Sequence, residues 1–257
     1  MHDSNQDDFL QRIRQALGRE AAPSTTRPGP SAEAEDSSTR PPRRSHEQKL
    51  ALVNRLQTAG RELQIEVQTC PDREAALRGM AAIVDATVPC DQAGRTVAAW
   101  KHPLIDALDP GPMLMHRGWS FFQTELTALD SPEDKTRQKA KLRERVIASG
   151  IGLTSADFCL ADTATLVMPA KANQARSVSL VPSTHIALIH LDQLLLDLQE
   201  LFAVLKQTPG ESPRGLNSPY MNLISGPSKT ADIEMTMVHG VHGPRTLHLL
   251  VLTGDLP

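Results

Sequence analysis

The segment Leu223–Pro244, LISGPSKTADIEMTMVHGVHGP, joins two apolar runs through residues rich in glycine, proline, hydroxyls and acids. Gly226 permits a close turn after the first run, and the hydroxyls of Ser228 and Thr230 are suited to cap free backbone N–H groups. If a helical turn starts there, its N–H groups and the Lys229 ammonium form a cradle for a carboxylate or phosphate. Helix capping and turn formation alone also account for these residues, so the sequence leaves open whether they bind an anion or only shape the turn.

Acidic and histidine side chains in the same segment are the candidates for acid–base chemistry. Asp232 and Glu234 lie two positions apart, so they share a face on a strand and diverge on a helix. Paired carboxylates transfer protons or bind metals, although two acids on a solvated face are commoner. His239 and His242 form a His-x-x-His pair, but the glycines around them favour a turn over a zinc site. Asp232, Glu234 and His242 are therefore the catalytic candidates, and no metal site is predicted.

Helical and strand-like patterns alternate from about residue 46 onward. Helices are predicted at 46–59, 72–86, 132–149 and 191–206. Strands or buried apolar segments are predicted at 63–68, 95–100, 157–168, 185–190, 221–225 and 246–252. Within 157–168, a hairpin is expected to turn at Asp162 and Thr163. This alternation is typical of a layered α/β domain with a largely parallel sheet.

The first 45 residues differ in composition from the rest of the chain. Apolar residues recur at helical spacing over about 5–17, so an amphipathic helix is predicted within residues 1–20, and its apolar face suits a docking role. Residues 21–45 are rich in proline, serine, threonine and charge, which predicts a flexible, disordered linker. The α/β domain is then expected to span residues 46–257.

Composition and charge exclude several classes of function. Aromatic residues make up only 3% of the 257, and the formal net charge is −3, which disfavours a nucleic-acid-binding surface. No apolar run approaches the roughly 20 residues of a membrane span, so a soluble, cytoplasmic protein is expected. Cys70, Cys90 and Cys159 lie far apart in sequence, whereas iron–sulfur and zinc sites usually draw on closely spaced cysteines. Buried, reduced thiols are the expectation.

Three stretches together resemble the LUD-domain family, and within it the lactate-utilisation protein C group. They are GIGLTSADFCLADTATLVM (150–168), ARSVSLVPSTHIALI (175–189) and ISGPSKTADIEMTMVHGVHGPRTLHLLVL (224–252). This chain has Asp162 and Ala164 where the family commonly has Glu and Gly, and AKANQ (170–174) where it is usually glycine-rich. The resemblance implies a three-layer α/β/α sandwich like that of ribose-phosphate isomerases, sugar-phosphate deaminases and CoA transferases. It also implies a subunit of an L-lactate oxidation system whose iron–sulfur clusters lie in partner subunits, with no cofactor in this chain.

Arg176 completes the predicted ligand-binding set with Ser228, Lys229 and Thr230, because a guanidinium pairs well with a carboxylate ligand. Pairing of Arg176 with Asp157 or Asp162 is the structural alternative, and His185 is expected to be structural. No nucleophile elbow, complete dinucleotide-binding motif or phosphate-binding loop is present. The leading hypothesis is therefore a non-redox subunit of a lactate-oxidising complex, whose role is assembly of the complex or formation of part of a carboxylate-binding pocket. The alternative is a stand-alone enzyme or binding protein for a small phosphorylated or CoA-linked substrate.

Overall fold

The computed structural model describes Arg12 and residues 44–88, 94–126, 131–205, 220–230 and 238–254. The predicted linker lies almost entirely outside these residues. The predicted N-terminal helix lies outside them too, apart from Arg12, whose backbone is helical. No helix in the described part of the chain is both long and apolar enough to cross a membrane.

Helices and strands alternate along the described chain. The α-helices, numbered from residue 44 onward, are α1 (His46–Leu63), α2 (Arg73–Ala86), α3 (Pro103–Leu108), α4 (Gly111–His116), α5 (Pro132–Ile147), α6 (Ser177–Leu180) and α7 (Leu198–Leu205). The strands are β1 (Ile65–Cys70), β2 (Gly94–Ala99), β3 (Ser120–Gln123), β4 (Ser149–Thr154), β5 (Phe158–Leu160), β6 (Thr165–Pro169), β7 (Thr184–His190), β8 (Leu194–Leu195), β9 (Met221–Ile224), β10 (Lys229–Thr230), β11 (Val238–His239) and β12 (Thr246–Leu252).

The main sheet has six strands in the order β1-β12-β7-β4-β2-β3, and every neighbouring pair is parallel. Its central strands are short, apolar runs, as expected for strands covered on both faces. All six residues of β4 are buried, and so are the first six of β7. The hydrophobic core therefore lies on both sides of these strands.

Helices cover both faces of the sheet. Successive side chains on a strand point to opposite faces. On β1, Val67 lies against Gly60 of α1, whereas Gln68 lies against Gly79 of α2. The two helices therefore pack on opposite faces, and the prediction of a three-layer α/β/α fold with a mostly parallel sheet is confirmed.

A second sheet has four strands in the order β8-β5-β6-β9 and packs against α7 in a small apolar cluster of its own. Its β5–β6 hairpin confirms the predicted one, with Cys159 opposite Leu166. The turn spans four residues, 161–164, rather than the two expected. Ala164 adopts φ 44°, a left-handed conformation in which an alanine is strained and a glycine is not.

The predicted helices at the start of the domain agree with the structure. Helix α1 begins after Ser45, whose hydroxyl accepts a hydrogen bond from Gln48 N–H while the Gln48 side chain accepts one from Ser45 N–H. This capping box fixes the helix start. The predicted helix at 191–206 is wrong in its first half, where a 3₁₀ turn and strand β8 precede α7. Leu194 leaves the helical pattern because it pairs with Cys159 of β5.

Helix α6 approaches the centre of β4 so closely that only a glycine fits beneath it. A Cβ atom added at Gly152 would lie 1.8 Å from the carbonyl oxygen of Val178 and 3.3 Å from Cγ of Pro182. Since Val178 contributes its backbone at this point, a rotamer change cannot relieve the clash.

We expect Gly152→Ala to lower the free energy of unfolding by about 3 kcal/mol, because the added methyl group must displace the α6 backbone. Gly94→Ala in β2 is the matched control, since its Cβ atom would find its nearest contact at 3.7 Å. Chemical denaturation of both variants measures the difference. Equal stabilities would contradict the close packing described for Gly152.

His185 lies in β7 with 1% of its surface exposed, and its Nε2 atom is 2.8 Å from the Thr154 hydroxyl. Burial, reinforced by His248, lowers the pKa of His185 from 6.5 to about 3. The interpretation of His185 as a structural residue agrees with this burial. The folded protein holds this imidazole neutral over a pH range in which the unfolded chain protonates it.

Stability should therefore fall as the pH drops below about 6.5, by about 1.4 kcal/mol per pH unit from His185 alone. This contribution is fully present above pH 6.5 and is lost progressively as the pH falls toward 3. Urea denaturation between pH 7 and pH 5 measures the slope. His185→Gln should retain only the smaller slope due to groups such as His102 and His248, whose pKa values burial also lowers. An unchanged slope in the variant would refute this assignment.

Candidate functional site

The carboxyl ends of β2, β4 and β7 meet at one edge of the main sheet, because these strands are parallel neighbours. Each of the three strands ends at a titratable residue or is followed by one within three residues. His102 comes three residues after β2, Asp157 three residues after β4, and His190 is the last residue of β7. Open α/β sheets bind their ligands at this edge. We use the name polar crevice for the site formed by His102, Asp157, Lys171, His190, Asp192 and Gln193.

A partly buried ion pair lines the polar crevice. The Lys171 ammonium contacts the Asp157 carboxylate. Their side chains are 28% and 10% exposed, respectively. Asp157 directly precedes β5 and Lys171 follows β6, so the two ends of the β5–β6 hairpin supply the carboxylate and the cation. Because removing one partner would leave a buried charge uncompensated, the pair acts as a unit.

His102 is held in one tautomer by the start of α3. Its Nδ1 atom accepts a hydrogen bond from the Leu104 N–H at 3.2 Å, so this nitrogen carries no proton. Burial lowers the pKa of His102 below 6.5, and the nearby Asp157 carboxylate only partly offsets this effect. The imidazole is therefore neutral at pH 7, with Nε2–H as a hydrogen-bond donor.

Gln193 links the ends of β7 and β4 beneath the crevice. Its side-chain oxygen accepts a hydrogen bond from the His190 N–H at 2.5 Å, and its amide nitrogen donates to the carbonyl of Ala156. The His190 Nδ1 atom accepts from the Asp192 N–H at 3.2 Å. Asp192 also forms an ion pair with Lys49 of α1. These bonds fix the His190 loop relative to the chain that leads from β4 to Asp157.

The crevice is an open cavity of about 480 Å³. Its lining consists of His102, Pro103, Leu104, Asp157, Lys171, Gln174, His190, Asp192 and Gln193. A cavity of this size with few, converging polar groups is typical of a small-molecule site. It offers an ammonium and a neutral imidazole N–H as donors, and a carboxylate as acceptor. Such a set can orient a small hydroxy or oxo acid.

The predicted anion cradle lies at the opposite edge of the sheet. Lys229 and Thr230 form β10, which pairs with β11 in a hairpin rather than opening a helix. Ser228 is tied to the next turn, since its N–H donates to the Pro244 carbonyl at 2.9 Å. The following Arg245 N–H donates to the Ser183 carbonyl at 2.7 Å, just before β7 begins. Ser228, Lys229 and Thr230 therefore belong to the amino-terminal edge of the main sheet.

Arg176 is separate from both groups. Its guanidinium lies over the Tyr220 ring, 4.3 Å from the centroid. The two carboxylates considered as its partners are engaged elsewhere, Asp157 with Lys171 and Asp162 with Arg55 at 2.7 Å. Arg176 is not among the residues that line the polar crevice. The four predicted ligand-binding residues are therefore not brought to the crevice.

Of the predicted catalytic residues, Asp232 and Glu234 lie outside the described part of the chain. His242 is exposed in the turn after β11. Among the described residues, no group of three or more His, Cys, Asp or Glu side chains is arranged to hold a metal ion.

The prediction of buried, reduced thiols is confirmed for two cysteines and untested for Cys90, which lies outside the described residues. Cys70 and Cys159 are both buried and unpaired with another cysteine. Burial raises the pKa of Cys70 to about 11 and that of Cys159 to about 12.

Sequence reasoning missed the polar crevice, although part of its signal was present. His102 and His190 stand at or just after predicted strands, where parallel α/β folds place their ligand sites. Asp157 and Lys171 flank the predicted hairpin, which indicates that they lie near each other, but no sequence signal indicates that the pair lines the crevice.

Comparison with known proteins places the chain among relatives involved in lactate use. The LUD domain matches residues 54–252. "Lactate utilization protein C" of an Exiguobacterium species is 41% identical over 111 residues, which cover 42% of this chain and 47% of that protein. The protein of the same name from Halalkalibacterium halodurans is 33% identical over 164 residues, covering 63% of this chain and 64% of that protein. Over these first relatives, the chain spans about half to two thirds of their length.

A solved structure also aligns with the chain. The crystal structure of a DUF162 family protein from Deinococcus radiodurans covers 82% of this chain and 99% of its own, with a TM-score of 0.49 and 19% identity. The match to the LUD domain extends over most of the chain and includes the polar crevice and both sheets. The chain therefore belongs to the LUD-domain family.

Proposed function

We propose that this protein is a subunit of an L-lactate-oxidising system and that its polar crevice binds the substrate or product as a small carboxylate. The observation that carries this proposal is the partly buried Asp157–Lys171 pair beside the neutral His102, at the carboxyl edge of the sheet. The names of the relatives, "Lactate utilization protein C", support the choice of lactate among small carboxylates.

The crevice matches the functional groups of a 2-hydroxy acid. The carboxylate of lactate accepts hydrogen bonds from the Lys171 ammonium and from the Nε2–H of His102. The 2-hydroxyl group donates to the Asp157 carboxylate. Lys171 then serves two carboxylates, those of Asp157 and of lactate, because Lys49 already pairs with Asp192.

Partner subunits complete the proposed reaction. Oxidation of lactate to pyruvate removes two electrons and two protons, so an electron acceptor is required. The three cysteines of this chain are widely spaced, and Cys70 and Cys159 are buried as thiols. We therefore assign the iron–sulfur clusters to cysteine-rich partner subunits, and to this chain the binding and orientation of the carboxylate.

Isothermal titration of the purified protein with L-lactate, D-lactate and pyruvate tests the crevice. Replacing both charges, Asp157→Asn with Lys171→Met, avoids leaving one buried charge alone and should weaken binding about tenfold. Lys101→Met is the matched control, because this nearby lysine pairs with Asp106 and does not line the crevice. Equal affinity in the double variant, or no binding by a folded wild-type protein, would rule out the crevice as the lactate site.

Purification of the tagged protein from its native host tests the subunit assignment. We expect iron–sulfur proteins encoded beside it to co-purify, and their absorbance near 400 nm to fall when lactate reduces the complex. The Lys101→Met variant should co-purify as well as the wild type does. Recovery of the protein only as a free monomer would favour the alternative of a stand-alone enzyme acting on a phosphorylated or CoA-linked substrate.

A further inference from the structure

A second cavity, of about 330 Å³, lies between α5 and the loop 171–177. Its apolar lining comes from Leu126, Leu142 and Val146 together with two alanines of the loop, Ala172 and Ala175. Lys139, Arg143 and Lys171 supply its charged side chains, and no carboxylate is among the described residues that line it. We call this cavity the basic pocket.

The charges on α5 are unusual for this protein. The helix carries six lysines and arginines against three carboxylates, whereas the whole chain has a net charge of −3. Lys139 and Arg143 are one helical turn apart, so their like charges repel each other. Neither forms an ion pair with any carboxylate in the described part of the chain. An anion bound between them would relieve this repulsion.

The opposite wall of the basic pocket is held in place before any ligand arrives. Asn173 adopts φ 61°, which asparagine tolerates better than most residues, and its side chain accepts a hydrogen bond from the Leu126 N–H at 3.0 Å. Its carbonyl accepts from the Thr124 hydroxyl at 3.2 Å. The Trp100 indole N–H donates to the Ala175 carbonyl at 2.8 Å. A preformed wall lowers the entropy cost of binding.

We propose that the basic pocket binds an organic anion that has an apolar body larger than that of lactate. The apolar lining suits a hydrocarbon portion, and Lys139 and Arg143 suit a terminal carboxylate or phosphate. The polar crevice differs, since its lysine is already paired with Asp157. Lys171 and Gln174 line both cavities, so the two ligands, or two ends of one ligand, lie side by side. This site does not depend on the assignment of lactate to the crevice.

Calorimetric titration with four simple probes tests the chemistry of the pocket. Hexanoate and hexyl phosphate combine an apolar chain with the two candidate anionic groups, while hexanol lacks the charge and acetate lacks the chain. We expect both six-carbon anions to bind at least tenfold more tightly than hexanol and acetate. The tighter of the two anions identifies the preferred head group. Hexanol binding as tightly as hexanoate would overturn the proposal, because the cations would then contribute nothing.

Substitutions on α5 locate the binding site. Arg143→Gln and Lys139→Gln should each weaken hexanoate binding about threefold to tenfold, whereas Lys141→Gln is the matched control on the same helix and should leave it unchanged. Lys141 does not line the pocket. Glutamine retains helix propensity, and thermal melting confirms that each variant is folded. Wild-type affinity in the folded Arg143→Gln variant would refute the site.

The same variants separate this proposal from the one for the crevice. Arg143→Gln should leave lactate affinity unchanged. If hexanoate binds and lactate does not, the crevice assignment fails while the basic pocket stands. If lactate binds and neither six-carbon anion does, the basic pocket fails alone.

Discussion

The close contact between the Val178 carbonyl and Gly152 is the constraint on which both cavities depend. It holds α6 against the centre of β4, and the chain before α6 must then run across the carboxyl edge of the sheet. That chain includes Lys171, Asn173 and Ala175, which line one cavity or both. A side chain at position 152 would push α6 outward and, with it, the wall that separates the polar crevice from the basic pocket.

The two edges of the main sheet differ in how readily the sequence predicts them. The amino-terminal edge holds strands β10 and β11 and the turn of residues 240–245, whose glycines and backbone hydrogen bonds close the chain around the starts of β7 and β12. Gly240 has φ 76°, and a Cβ atom there would lie 2.1 Å from the Arg245 side chain. Such backbone requirements are easily recognised in the sequence, because they demand glycine at fixed positions. The carboxyl edge instead consists of single side chains from loops that are far apart in sequence, and these side chains form no sequence motif that is easily recognised.

This difference explains what the sequence could and could not predict. Helices α1, α2 and α5 and the long apolar strands follow from local periodicity, and capping residues such as Ser45 fix their ends. Strand β8 could not be predicted, because LDQLLLDLQELFAVLK has a helical pattern and Leu194 becomes a strand only by pairing with Cys159. The predicted hairpin brings its flanking residues Asp157 and Lys171 near each other, but their position at the carboxyl edge of the main sheet is a tertiary arrangement without a local signature.

Electrostatics distinguish the two cavities more clearly than their sizes do. In the polar crevice each described cation already pairs with a carboxylate, so a bound ligand must share that cation with the protein. The ligand is then held mainly by well-oriented hydrogen bonds. In the basic pocket, Lys139 and Arg143 lie one helical turn apart and no carboxylate is among the described residues that line the pocket, so a ligand supplies the missing charge. The first arrangement favours discrimination among small polar acids, and the second favours affinity for larger anions. Because Lys171 lines both, occupancy of one cavity would alter the field in the other, and binding at the two sites would be coupled.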